Sequence, residues 1–266
     1  NITDPYLVNL FKKTLISGNE GQKIFILNEI KKLSPEPWKN ELNEIFIKES
    51  DNIRNEIILI ALSDKQVLSD SIILDIVNSQ DDPLRSMGII IAAKREYKHI
   101  IPQLENLIND TDPDIRASAN IALIILGEGN EQIPKEQLDS MLNEKNVHIQ
   151  IAAVKALSNF PKLFTLEQLK RSIQSNHREL QILSSKIAAD EKIEELLPFL
   201  ITNLYNSNIS RELINDLRTF DSEKVESLIL NILVEKKAPA NESSMELIKA
   251  LGELGSVKSI GILIQI

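Results

Sequence analysis

"TDPDIRASANIALIILGEG", Thr111–Gly129, decides how the rest of this 266-residue chain is read. It joins an Asp-Pro step and an arginine to a run too apolar for an ordinary surface helix. Asp112 stands where an N-cap accepts from the first free amides, and Pro113 takes the first helical position, where a missing N–H costs nothing. Ile115, Ala119, Ala122, Leu123 and Leu126 then share one helical face, and Gly127 stops the helix. Such a segment either leads ligand chemistry into a helix or is one module of something that recurs.

It recurs. "DDPLRSMGIIIAAK" at 81–94 matches "TDPDIRASANIALI" at 111–124, with the two Asp-Pro steps offset by one loop residue. Anchored on the first core-type aliphatic, Ile53, Leu84 and Ile115 lie 31 residues apart, Ile149 follows after 34, and Leu180 after a further 31. Self-similarity at a period of about 30 to 47 residues marks a helical repeat array. The insertion that lengthens one interval falls in an expected loop, "GEGNEQIPK" at 127–135.

Between anchors lie partner helices such as "SDSIILDIVNS" and "YKHIIPQLENLIND". The pattern predicts about eight helix pairs, over 5–33, 37–62, 69–95, 97–126, 135–158, 165–189, 193–219 and 222–254, with a ninth starting near Val257. Pro102 and Pro198 fall early in their helices, where proline is accommodated. The expectation is an all-α chain, one array over 1–266, forming part of a longer protein.

With Asp-Pro, aliphatic, Arg and small residues in one frame, the chain resembles HEAT-repeat proteins. Asp82, Pro83, Leu84 and Arg85 carry the likeness, as do Asp112, Pro113, Ile115, Arg116, Ala119 and Gly127, and the Ala250-Leu251-Gly252 step. The repeats at Ile149 and Leu180 depart from it: Gln150 and Gln181 replace the arginine and no Asp-Pro precedes them. The repeat near Ile209 is weaker still. The resemblance implies a right-handed α-α superhelix, a solenoid whose stacked pairs share one core and present a curved concave surface to other macromolecules.

Composition narrows the function. Thirty Lys and Arg against 39 Asp and Glu leave a net charge of −9 with no basic block, which argues against a nucleic-acid partner. There is no cysteine, so disulfides and thiol chemistry are excluded. No apolar run reaches the ~18 residues of a membrane span, and a cytoplasmic location is expected. The Lys-, Asn- and Ile-rich composition suggests a bacterial source.

The polar residues of the repeat are read as punctuation: the Asp caps its helix and the Arg bridges to the neighbouring repeat. Three histidines, His99, His148 and His177, sit in different units, and none is followed by Glu. The His-Glu pairs with which the HEAT-like deoxyhypusine hydroxylases hold iron are thus absent, and no metal or other cofactor is expected. No phosphate-cradling Gly loop or nucleophile elbow is present. Trp38, the one tryptophan, is expected to pack at the start of its helix.

One departure from a plain repeat asks for function. Six residues past each anchor, on the face that lines the concave side of HEAT-like folds, stand Leu59, Ile90 and Ile121, then Lys155 and Lys186, with Met87 beside Ile90. These six are the candidate partner site: an exposed aliphatic stripe with a basic rim. On this reading, Asp at positions 90 and 121 abolishes binding without unfolding the array. The expected function is a non-enzymatic scaffold or binding module for a protein partner. The alternatives are a soluble regulatory domain of a bacterial membrane protein such as a transporter, or a HEAT-like enzyme such as a bilin lyase or a DNA glycosylase.

Overall fold

A computed structural model describes residues 4–64, 66–127, 129, 131–205, 208–235 and 242–264. Among them there are α-helices and short 3-10 turns and no strand. The helices are α1 (Pro5–Ser17), α2 (Glu20–Ile30), α3 (Lys39–Lys48), α4 (Asp51–Ser63), α5 (Asp70–Val77), α6 (Asp82–Lys94), α7 (Ile101–Leu107), α8 (Pro113–Leu126) and α9 (Gln132–Leu142). They continue as α10 (Val147–Leu157), α11 (Leu166–Ile173), α12 (Arg178–Asp190), α13 (Leu197–Asn203), α14 (Ser210–Leu217), α15 (Ser222–Glu235), α16 (Glu242–Leu254) and α17 (Val257–Leu263). The loop expected over 127–135 is shorter than the sequence implied. α9 already starts at Gln132, because Pro134 lies in its first turn, where no helical N–H is needed.

Contacts divide the chain into two compact units, Asn1–Met141 and Leu142–Ile266. In the first, α1 packs on α2, α3 on α4, α5 on α6 and α7 on α8, while α2, α4, α6 and α8 also pack in succession. In the second, the pairs are α11 with α12, α13 with α14 and α15 with α16, and the even-numbered helices α10 to α16 again pack in succession. Within each unit, then, the helices pack in pairs and the even-numbered helices pack from one pair to the next.

Polar side chains follow the same rule, reaching about one repeat along. Asn43 donates to Val67 O at 2.8 Å and accepts from Ser69 N at 2.7 Å, tying α3 to the entry of α5. Asn203 reaches Ile173 O at 2.6 Å, and Thr219 Oγ1 reaches Ala189 O at 3.1 Å, both 30 residues back. Each bond ties one helix pair to the next.

The core is mainly aliphatic, and Trp38 is its largest side chain. Trp38 ends a 3-10 turn before α3, is fully buried, gives its indole N–H to Val8 O at 3.1 Å and has its ring 5.4 Å from that of Phe11. Gly88 marks the tightest approach between α5 and α6: a Cβ there would lie 2.5 Å from Ile76 Cγ2. At Gly127 a Cβ would meet Leu123 O at 2.4 Å, so glycine is set by crowding, the φ of −72° being open to any residue.

Two sharp helix exits repeat across the chain. After α6, Glu96 takes φ 61° while Glu96 N bonds Ala93 O and Tyr97 N bonds Ala92 O. After α12, Lys192 takes φ 53° with matching bonds from Lys192 N to Ala189 O and from Ile193 N to Ala188 O. This left-handed closure caps the last carbonyls and turns the chain into the next helix, whose proline, Pro102 or Pro198, sits in the first turn.

Candidate functional site

The repeated Asp and Arg turn out to be local fasteners. Asp112 accepts from the amides of Asp114 at 2.8 Å and Ile115 at 3.0 Å, as an N-cap should. Before α6 the cap is Asp81, accepting from Leu84 N at 3.1 Å, rather than the Asp of the Asp-Pro step. The arginines do not bridge to the neighbouring repeat. Arg54 Nε donates to Phe46 O at 3.0 Å, Arg85 Nε to Val77 O at 3.1 Å, and Arg116 to Asp110 O at 2.6 Å and Thr111 O at 2.9 Å. Arg54 and Arg85 thus close the C-terminal end of the helix just before their own, where carbonyls lack partners and the helix dipole is negative, while Arg116 holds the loop between α7 and α8. Gln150, which replaces the arginine, donates its side-chain N–H to Glu144 O in the same place.

The aliphatic stripe is corrected. Leu59 is 44% exposed and Met87 is half-buried, but Ile90 is 3% exposed and Ile121 fully buried. The reason is that α6 and α8 are enclosed on all sides. Residues 88–93 of α6 and 117–124 of α8 are all buried, and the small Ala92, Ala93, Ala117 and Ala119 let the helices come close. A helix apolar around its whole circumference belongs inside a core. Position +6 is therefore core in these two repeats and surface in α4, α10 and α12.

Lys155 and Lys186 are exposed, but neither faces open anionic space alone. Lys155 Nζ lies 3.0 Å from Glu179 of α12. Lys186 acts on Asp216 of α14, whose carboxyl burial pushes up to about 6 against the pull of Lys186, with Asp190 and Glu212 adding to the rise. Arg178 pairs with Glu212 at 2.6 Å and Arg218 with Glu253 at 2.6 Å. The helices of the second unit therefore carry mixed charge from one pair to the next.

His148 and His177 lie exposed at the start of α10 and α12, and His99 stacks beside Tyr97 at 5.3 Å between ring centres. Among the described residues no three His, Asp or Glu side chains gather where a metal could be held.

Concave features lie elsewhere. One is a groove of about 510 Å³ in the first unit. Ile101 and Ile108 of the α7 segment, Leu123 and Gly127, and Ile133 of α9 line it, together with Lys98 and Glu105. Ile133 is 55% exposed. The groove lies beside the interval that is lengthened to 34 residues, between the anchors Ile115 and Ile149.

Two smaller clefts occupy one register of the chain, 96 residues apart. The first, about 250 Å³, lies where α3, α4 and α5 meet, lined by Phe46, Ile47, Ile72 and Ile76 beside Arg54 and Asp75. The second, about 280 Å³, lies where the end of α9 meets α10 and α11. There Leu142 stands at the position of Phe46, while Asn143, Gln168 and Ser172 stand at those of Ile47, Ile72 and Ile76. Arg171 takes the place of Asp75, and Gln150 that of Arg54. Neither groove nor clefts were among the candidate residues read from the sequence. Extending the anchors to the 96-residue interval between Ile53 and Ile149 aligns the two clefts and exposes the exchange of apolar for polar residues.

Comparison with family models finds no match, and comparison with curated proteins finds none. Among solved structures, the chain is similar to YibA of Escherichia coli at 15% identity, over 96% of this chain and 97% of that chain, with a TM-score of 0.37. At that score the likeness carries no assignment of fold or activity.

Proposed function

We propose that the chain is a solenoid of HEAT-like helix pairs, a right-handed superhelix that acts as a binding module for a protein partner and performs no reaction of its own. The repeat reading is supported by arginine fasteners 31 residues apart at Arg54, Arg85 and Arg116, and by polar bonds that reach one repeat along. The partner reading rests on one observation, the groove of Ile101, Ile108, Leu123 and Ile133, where the lengthened interval leaves an aliphatic trough of about 510 Å³. Trough-shaped apolar surface of that size takes a side chain or short apolar segment of a partner. Lys155 and Lys186, exposed on the second unit, are salt-sensitive contacts that set association rate more than affinity.

A photo-crosslinking residue placed at Ile133 tests this in cells of the source organism. One reproducible crosslinked protein is expected, and it disappears when Ile108 is changed to Asp. A crosslinking pattern equal to that from an exposed control position, Lys12, would sink the reading.

A further inference from the structure

We infer that the polar cleft of the second unit is a carboxylate-binding pocket that takes an acidic side chain from a peptide segment. The inference deepens the binding-module reading by naming the chemistry of what is held, and it is tested without the apolar groove.

The comparison between the two clefts makes the case. They share one sequence register, with α5 and α11 spanning corresponding residues 96 apart, so their linings can be compared position by position. In the first unit, Ile47, Ile72 and Ile76 make the lining apolar, and the two charges at its edge, Arg54 and Asp75, have opposite sign. In the second, amides and hydroxyls replace the isoleucines, and the only charged residue in the lining is Arg171. The acidic position of one cleft has become the cationic position of the other. A chain of net charge −9 has therefore placed a cation, without a lining carboxylate, in a recess built from hydrogen-bonding side chains.

The local structure holds these groups in position. Arg171 lies in the last turn of α11, where a cation is favoured by the helix dipole, and it gives one donor to Asn143 Oδ1. Gln168, one turn earlier, is locked by a reciprocal capping box with Thr165, its Oε1 accepting from Thr165 N at 2.9 Å. Gln150 is held by Glu144 O, a bond that in other repeats belongs to an arginine. Guanidinium is the side chain best matched to a planar carboxylate, which it binds through parallel N–H bonds, and serine hydroxyls and amide N–H groups add further donors. At about 280 Å³ the cleft falls just below the range of about 300–1,000 Å³ that encloses a whole small ligand, a size suited to one inserted side chain.

The probe is an end-blocked peptide of six glutamates, titrated into the 15N-labelled full chain at low salt, with a peptide of six glutamines and free glutarate as parallel arms. Saturable shifts of the Arg171 Nε–H and of the Asn143 and Gln150 side-chain amides are expected with the glutamate peptide and not with the glutamine peptide. Arg171→Gln weakens that binding by about tenfold or more, as loss of a charge-assisted bond does. Ser172→Ile, which installs the residue of the apolar twin, also removes it. Arg171 is exposed, so its variant retains the fold, checked by its melting curve. Equal shifts with the glutamine peptide, undiminished binding by Arg171→Gln, or binding of glutarate without the peptide would each overturn the proposal.

Discussion

Arg85 Nε donates to the carbonyl oxygen of Val77 at 3.1 Å. Val77 is the last residue of α5, so its carbonyl has no partner within the helix, and Arg85 supplies one from the first turn of α6. Arg54 makes the same bond to Phe46 O, and Arg116 reaches Asp110 O and Thr111 O in the loop before its own helix, so the arginine pins the junction between the two helices of a pair. Arg85→Gln is expected to cost about 1.5–3 kcal/mol, the range for hydrogen bonds to charged groups. Arg85→Lys recovers only part of it, because an ammonium lacks the planar fork. Urea midpoints measure both, and an unchanged midpoint for Arg85→Gln removes the assigned role.

Ile121→Asp now has a different expected outcome from the one its sequence position suggested. With Ile121 fully buried, an aspartate there places a charge in the core, and the first unit should lose its cooperative melt. Leu59→Asp, at the matching position of α4 but 44% exposed, should shift stability by within about 0.5 kcal/mol. Circular dichroism melts of the two variants side by side distinguish core from surface. A folded Ile121→Asp protein contradicts the enclosed packing of α8.

Glu96 and Lys192 hold left-handed backbone at φ 61° and 53° without being glycine. That conformation costs an L-residue about 1–2 kcal/mol, which glycine avoids at some cost in unfolded-chain entropy. Glu96→Gly and Lys192→Gly are each expected to raise stability by about 0.5–1 kcal/mol, while alanine at either site brings no gain. Differential scanning calorimetry of the double glycine variant should show the two increments adding, since the sites lie in different units.

Asp216 makes stability depend on pH in a defined direction. Folding raises its carboxyl from 3.8 to about 6, chiefly through burial, so the folded chain binds this proton more tightly than the unfolded chain. The group's contribution therefore declines as pH climbs through that window and remains unfavourable above it. Asp216→Asn should stabilise the second unit at pH 8 and make no difference below the window. Melting temperatures at pH 3 and pH 8 check it, and equal effects at both would rule out titration as the cause.

Glu226 carries the opposite sign. On α15, its carboxylate accepts from Ser256 N at 2.9 Å and Ser256 Oγ at 3.0 Å, and from the Ser259 hydroxyl, capping the start of α17. These bonds hold its pKa below the ordinary glutamate value, the Ser259 bond most of all. Its stabilisation is present above that ordinary value and is lost as pH falls through the lowered one. Glu226→Gln should speed amide hydrogen exchange at 256–259 near neutral pH while leaving α10–α12 unchanged.

Much of this architecture was legible in the residues alone. The 3.6-residue spacing of aliphatics, with Asp before and Gly after, predicts a helix wherever those signals coincide, and every expected pair contains two observed helices among the described residues. Such signals are local: an N-cap, a proline in a first turn and an apolar face act within a few residues. The stripe at Leu59, Ile90 and Ile121 was misread because one period describes which way a side chain points from its own helix. It does not describe whether another helix stands there.

The sequence by itself therefore determined the helices, their order and their repeat, because each depends on neighbours along the chain. Only the tertiary structure decided which faces are closed. Ala92, Ala93, Ala117 and Ala119 let α6 and α8 approach and bury Ile90 and Ile121, while the same register stays open at Leu59, Lys155 and Lys186. It also brought Asn143, Gln150, Gln168 and Arg171 to one cleft, from the end of α9, from α10 and from α11. Exposure and convergence are properties of packing between elements, and no local spacing encodes them.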